Sequence, residues 1–245
     1  MKKFLVTFVL LLSVLFGWAQ GTVGSWSLIP KVGVNFANIS GFDVTVLDNP
    51  TKGFEGSSGL KSKYLEGLII GLDVQNQLTE RVAASAGLFY SRQGMDFPEF
   101  ESIDDKNVHH ASNGFQWKFH YLQLPVMLHD YVLSGLSFNA GLQIGYLLSA
   151  KGFSSQSRFY TDKEGKTHYE KDEEGNLLYD YKSKYDMTDN MKRIDVSVPV
   201  GISYEYGNVL LDARYNIGLL KINKDEYRTY KNKVFSFTVG YIFDL

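Results

Sequence analysis

The chain has 245 residues, 15% of them aromatic (17 Phe and 16 Tyr), with five Pro, no Cys and a formal net charge of −2. Without Cys there is no disulfide and no thiolate metal site, and the mild acidity gives no electrostatic case for nucleic acid. Abundant aromatics with scarce Pro favour strands over helices.

The N-terminus opens Met1-Lys2-Lys3 and continues as an apolar run from Phe4 to Phe16, with small residues at Gly17 and Ala19. A short basic region, a short apolar stretch and small residues two apart form a secretory signal. The run is shorter than the roughly 20 residues a transmembrane helix needs. Residues 1–19 are therefore expected to be a signal peptide cleaved after about Ala19, and 20–245 a single β domain.

Beyond it the chain alternates with a period of two, which places successive side chains on opposite faces of a strand. Eight strands are predicted, at 31–36, 64–75, 82–92, 121–129, 136–148, 194–206, 209–218 and 235–245. In each, one face carries large apolar residues, as with Leu136, Phe138, Leu142, Ile144, Tyr146 and Leu148. The other carries small or polar ones, as with Ser137, Asn139, Gly141, Gln143 and Gly145. The joins at 77–81, 130–135 and 207–208 are short, and those at 38–63, 94–117, 151–192 and 220–232 are long and polar. Tight turns at one end and long loops at the other describe an all-β, eight-stranded antiparallel up-and-down transmembrane β-barrel, with short periplasmic turns and long extracellular loops.

A soluble barrel would point its apolar face inward and cover its exterior with charge. Here the less apolar face is Gly, Ser, Asn and Gln with isolated charges, which suits a narrow interior rather than a wetted surface. The expected location is the bacterial outer membrane, with eight strands enclosing an interior just filled by side chains. Lys31, Asp73, Asp195, Glu205, Asp212 and Arg214 fall on the inward face and form a candidate lumenal polar network, because buried charges need partners.

His109 and His110 lie near Asp104 and Asp105, but adjacent residues of an extended chain point opposite ways and no nucleophile is placed beside them. Residues 162–179 hold a ten-residue repeat, Asp162–Tyr169 and Asp172–Tyr179, in which Gly165 and Gly175 punctuate acidic turns. The ligand spacing of a calcium loop is missing, interleaved lysines oppose one, and a solvated hairpin extending strands past the bilayer fits better. No catalytic residue, metal ligand or cofactor is expected, and the chain reads as a non-enzyme. Tyr160, Tyr169, Tyr179, Tyr181 and Tyr185 give the loop 151–192 a contact-ready aromatic face for a ligand or envelope protein partner. The rival expectations are a structural barrel, alone or as an accessory of a secretion assembly, and a small channel.

Four short stretches, 31–36 (KVGVNF), 121–125 (YLQLP), 214–219 (RYNIGL) and the close at Phe243 to Leu245, resemble the PorT-like outer-membrane β-barrel family of Bacteroidota over about residues 26–245. The resemblance implies an integral outer-membrane protein in contact with outer-membrane lipid. The family's namesake takes part in type IX secretion, though no residue here carries that role across. Thr238, Gly240, Phe243 and Leu245 are similar to the C-terminal signal read by the barrel-assembly machinery, with Leu245 where many members have Phe.

Overall fold

The computed structural model describes residues 22–47, 57–103, 108–169, 173–175 and 181–245. The segment 1–19 expected to be a signal peptide, Asp104, Asp105 and Tyr179 lie outside the described residues. Eight strands form the wall: β1 (Trp26–Ser40), β2 (Leu65–Gln77), β3 (Val82–Asp96), β4 (Val108–Leu133), β5 (Leu136–Thr161), β6 (Ile194–Tyr206), β7 (Val209–Gly218) and β8 (Lys231–Tyr241). Each pairs antiparallel with its neighbours in sequence. β8 returns to β1 in the register Lys31↔Gly240 through Ser40↔Lys231, so the sheet closes on itself. A closed ring leaves no unpaired edge for hydrocarbon to desolvate. Among the described residues no helix is long and apolar enough to cross a membrane.

The pleat sorts the side chains as their chemistry requires. Leu124, Val126 and Leu142 point outward with 53%, 60% and 59% of their surface exposed, whereas Lys31 and Asp73 on the inner face keep 3% and 1%. Exposed apolar residues ring the whole wall, which only hydrocarbon tolerates over so large an area. Exposed aromatics cluster at its two rims: Trp26, Tyr206, Tyr241 and Phe243 near the short turns, Tyr64, Tyr146 and Phe235 toward the long loops. Such rings sit where hydrocarbon meets headgroups.

The strands are longer than the alternation predicts. β4 and β5 run for 26 residues each, well beyond the about ten that cross a bilayer. Within the segments 94–117 and 151–192, predicted as loops, residues 94–96, 100–103, 108–117, 151–161, 167–169 and 181–186 are strand. Above the wall, β4 and β5 stay paired to Val108↔Tyr160. Strand Tyr181–Asp186 flanks β5 and strand Phe100–Ile103 flanks β4, giving a projecting sheet. In the predicted loop 38–63, strands Asp43–Leu47 and Ser57–Lys61 pair with each other.

The pairing His120↔Ser149 is followed by Tyr121↔Leu147, so Leu148 is an extra residue in β5. A bulge of this kind shifts which way later side chains point. Leu148 is exposed with the lipid-facing set, yet Ala150 is buried and Lys151 lies opposite Lys118 on the outer surface. The period that identifies the lower half of β5 cannot be continued into its upper half.

Candidate functional site

The lumen is built in layers. At the short-turn end Tyr131 donates its hydroxyl hydrogen to Glu205, and Gln75 donates to Tyr131 Oη at 3.1 Å. The next layer centres on His129, whose ring nitrogens meet Ser85 Oγ at 2.9 Å and Asn139 Oδ1 at 2.8 Å.

At mid-depth four charged groups meet. Lys31 Nζ lies 2.7 Å from Asp73 Oδ2 and 3.2 Å from Asp212 Oδ2. The Arg214 guanidinium reaches Asp212 through Nε at 2.9 Å and through Nη2, which is also 3.6 Å from Asp73 Oδ2. Two cations and two carboxylates thus neutralise one another away from water. Glycine makes the room. A Cβ at Gly87, opposite Asp73, would fall 2.0 Å from Asp73 Oδ1, and one at Gly240, opposite Lys31, 2.9 Å from Lys31 Cγ. A cavity of about 10 Å³ beside this cluster is walled by Phe89, Gln123, Gln143 and Asn216. That is about the room one water takes.

Above the charges Asn35 bonds Ser91 and Ser236, both at 2.7 Å. Asn232 donates to Asp195 Oδ2 at 2.8 Å and to Tyr121 Oη at 3.2 Å. The six charges expected to form one network therefore occupy three levels. Lys31, Asp73, Asp212 and Arg214 come together, Glu205 closes the short-turn end, and Asp195 lies toward the long loops.

The long-loop mouth is stoppered by an apolar cluster that sequence reasoning missed. Phe119, Tyr121 and Leu147 from the wall are buried with Met95, Phe97, Trp117, Met187, Met191, Ile222 and Tyr230. The Phe42 ring stands 4.5 Å from that of Trp117 and 5.3 Å from that of Tyr230. A 3₁₀ turn, Thr188–Asn190, carries the two methionines inward and is pinned to β5 where Ala150 N donates to Thr188 Oγ1 at 2.9 Å. The available signal was the isolated apolar residues in otherwise polar loops, Phe42, Met187, Met191 and Ile222, which follow no strand period.

The candidate loop residues do not share one face. Tyr160 stacks on His168 at 5.0 Å, while Tyr169 packs beside Phe159, whose other neighbour is His109 at 4.7 Å. Phe159↔Tyr169 and Tyr160↔His168 are successive pairs, so Tyr160 and Tyr169 lie on opposite faces of the hairpin. Tyr185 folds over Gly152 and accepts a hydrogen bond from Trp117 Nε1 at 3.3 Å, which ties the projecting sheet to the stopper. Tyr181 pairs with Gln156 in the backbone register. At the C-terminus Phe243 and Asp244 pair with Leu28 and Ser27. Thr238 and Gly240 are buried on the inner face, and Phe243 and Leu245 are exposed.

The tip of the projection is an acidic turn. Asp162 Oδ1 accepts from the backbone N–H of Lys166 at 2.8 Å and of Glu164 at 3.0 Å, and its Oδ2 meets His168 Nε2 at 2.7 Å. The His168 bond first, then the backbone donors, hold the Asp162 carboxyl below the usual carboxylate range. A depressed value means the turn is fully stabilised above the ordinary carboxylate pKa and loosens as the pH falls through the lowered one. The Lys166 amide resonance is expected to move on acidification through the lowered carboxylate range and to show no such step in Asp162→Asn.

A closed wall, a lipid-facing apolar belt and a filled polar interior define an integral outer-membrane barrel. The chain belongs to the family described as "Outer membrane protein beta-barrel domain", whose model matches residues 18–224. Its place is the bacterial outer membrane, with the short turns in the periplasm and the long loops outside. Similar solved structures include Ail, the attachment invasion locus protein of Yersinia pestis, at 13% identity over 91% of this chain and 100% of that one, with a TM-score of 0.42. Neisserial surface protein A is 12% identical over 89% and 97%, with a TM-score of 0.41. OprG from Pseudomonas aeruginosa is 11% identical over 93% and 99%, with a TM-score of 0.39. No curated protein matches the chain.

Proposed function

We propose that this barrel is a non-enzymatic outer-membrane protein whose function lies in its extracellular projection, which contacts a ligand or an envelope protein partner. In this reading residues 1–19 direct export, and Thr238, Gly240, Phe243 and Leu245 present the last strand to the barrel-assembly machinery. The PorT-like branch of Bacteroidota remains the proposed affiliation. The observation that carries the reading is the β4–β5 hairpin. Its 26-residue strands continue past the belt and end in a hairpin with Tyr160 and Tyr169 exposed on opposite faces. Stacked layers and the apolar stopper fill the lumen beneath it, which favours contact over conduction.

The test trims the projection without touching the stopper. Gln156 pairs with Tyr181, so replacing 157–180 by Asn-Gly should close a tight hairpin on existing strands. The trimmed barrel is expected to keep heat-modifiable gel mobility and to fail to restore the phenotype of a null strain. Full complementation by the trimmed chain would remove the basis of the proposal. A role inside a secretion assembly predicts instead stable co-purifying subunits that survive the trimming.

A further inference from the structure

The outer surface just above the apolar belt carries a group of cations that neither the lumen nor the projection accounts for. Along the outward face of β4 the apolar residues Leu128, Val126, Leu124 and Leu122 give way to His120 and then Lys118. Arg92 of β3 lies opposite His120, and Lys151 of β5 lies directly opposite Lys118. Arg92, Lys118 and Lys151 are thus neighbours of His120 in the strand register, and His120 Nδ1 is 2.5 Å from the hydroxyl of Tyr90. Lys118 Nζ and Lys184 Nζ stand 4.6 and 5.8 Å from the centre of the Phe153 ring.

Like charges placed directly across a strand pair repel and destabilise the sheet. Among the described residues no carboxylate forms an ion pair with Arg92, Lys118 or Lys151. Asp186 lies opposite Lys151 and offsets part of its charge, while its Oδ1 accepts from the Thr188 N–H at 2.8 Å. Arg92 Nη2 donates to the Glu66 carbonyl at 3.3 Å, while its buried Nε has no acceptor. The Leu148 bulge is what turns Lys151 outward, since without it the alternation of β5 would send position 151 into the lumen.

We propose that Arg92, Lys118 and Lys151 bind the phosphate groups of a lipid headgroup in the outer leaflet. Height on the wall selects a lipid over a soluble anion. The cations begin where the hydrocarbon-facing residues of β3, β4 and β5 end, so a headgroup phosphate meets them while its acyl chains lie along Leu88, Leu122, Leu124 and Leu148. Tyr90 and His120 fill the interface between the two zones. Guanidinium supplies paired donors to phosphate and the two ammonium groups supply point charge.

The experiment uses the full mature barrel in zwitterionic micelles, with bound lipid counted by native mass spectrometry. It is titrated with diphosphorylated lipid A, with the same lipid stripped of both phosphates, and with inorganic phosphate. The wild-type barrel is expected to hold the diphosphorylated lipid and to bind the stripped lipid at least about tenfold more weakly. Lys118→Gln/Lys151→Gln should raise the apparent Kd about thirtyfold, given roughly a fivefold factor for each basic residue at a membrane surface. Lys233→Gln, at an exposed outward position near the same end of β8, should leave the Kd unchanged. Heat-modifiable mobility verifies that each variant is folded. Equal binding of the two lipids, an unchanged Kd in the double variant, or an equal loss in Lys233→Gln would overturn the proposal. Displacement of the lipid by inorganic phosphate at matched concentration would make this a soluble-anion site and overturn the lipid assignment.

Discussion

Replacing Asp73 by Ala is expected to cost about 3–5 kcal/mol of folding stability, the scale for removing one member of a buried ion cluster. Asp73 is 1% exposed and holds Lys31 at 2.7 Å, with Arg214 at 3.6 Å. Without it, Asp212 alone faces two cations in a space that admits about one water. The loss arises from stranded charge rather than from a missing contact, so it should be recoverable. Removing a cation as well, in Asp73→Ala/Lys31→Met, should return most of the stability, because a buried pair replaced by apolar groups is close to neutral. Urea titration of the barrel refolded into lipid vesicles reads both values. A loss under about 1 kcal/mol for Asp73→Ala would mean that water reaches the cluster freely, contrary to the packed lumen described here.

The second large effect lies on the opposite face of the wall. Val126→Arg should destabilise the barrel by about 2–4 kcal/mol, the cost of a cation facing lipid near the bilayer midplane. Val126 is 60% exposed and flanked by Leu124 and Leu128 in the middle of the β4 belt. On a water-facing surface the same change would stay within about 0.5 kcal/mol. Tyr227→Arg, in the β7–β8 loop at 96% exposure, supplies that comparison and is expected to be neutral. Equal costs at the two positions would contradict the assignment of the apolar face to lipid.

The wall was legible in the sequence wherever one face meets hydrocarbon and the other meets the lumen. That contrast imposes the period seen in β6, β7 and the lower halves of β4 and β5. Above the belt it inverts. Over 115–120 the apolar Phe115, Trp117 and Phe119 turn inward to the stopper and Gln116, Lys118 and His120 turn outward, so the alternation continues with its faces exchanged and cannot be read as an extension of the lipid-facing stripe of Leu122, Leu124, Val126 and Leu128. The Leu148 bulge removes the remaining cue by reversing the faces midway along β5. The stopper was invisible for a different reason: Phe42, Phe97, Met187, Ile222 and Tyr230 come from separate connections, and only the closed ring brings their ends together.

Charge type was legible in the lumen and charge position was not. Inward-facing Lys31, Asp73, Asp195, Glu205, Asp212 and Arg214 follow from strand parity alone. Which of them meet depends on the stagger between strands, and that stagger sets Lys31, Asp73, Asp212 and Arg214 at one height while separating Asp195 and Glu205. The opposed glycines Gly87 and Gly240 give clearance to the charged side chains.

The mid-depth cluster has an electrical consequence. Lys31 and Arg214 cancel Asp73 and Asp212, so a voltage across the outer membrane exerts no net pull on this group, whereas a single unbalanced charge would feel about 2.3 kcal/mol per 100 mV across the full span. A Donnan potential that rises and falls with the salt outside the cell would therefore leave the centre of the barrel undisturbed.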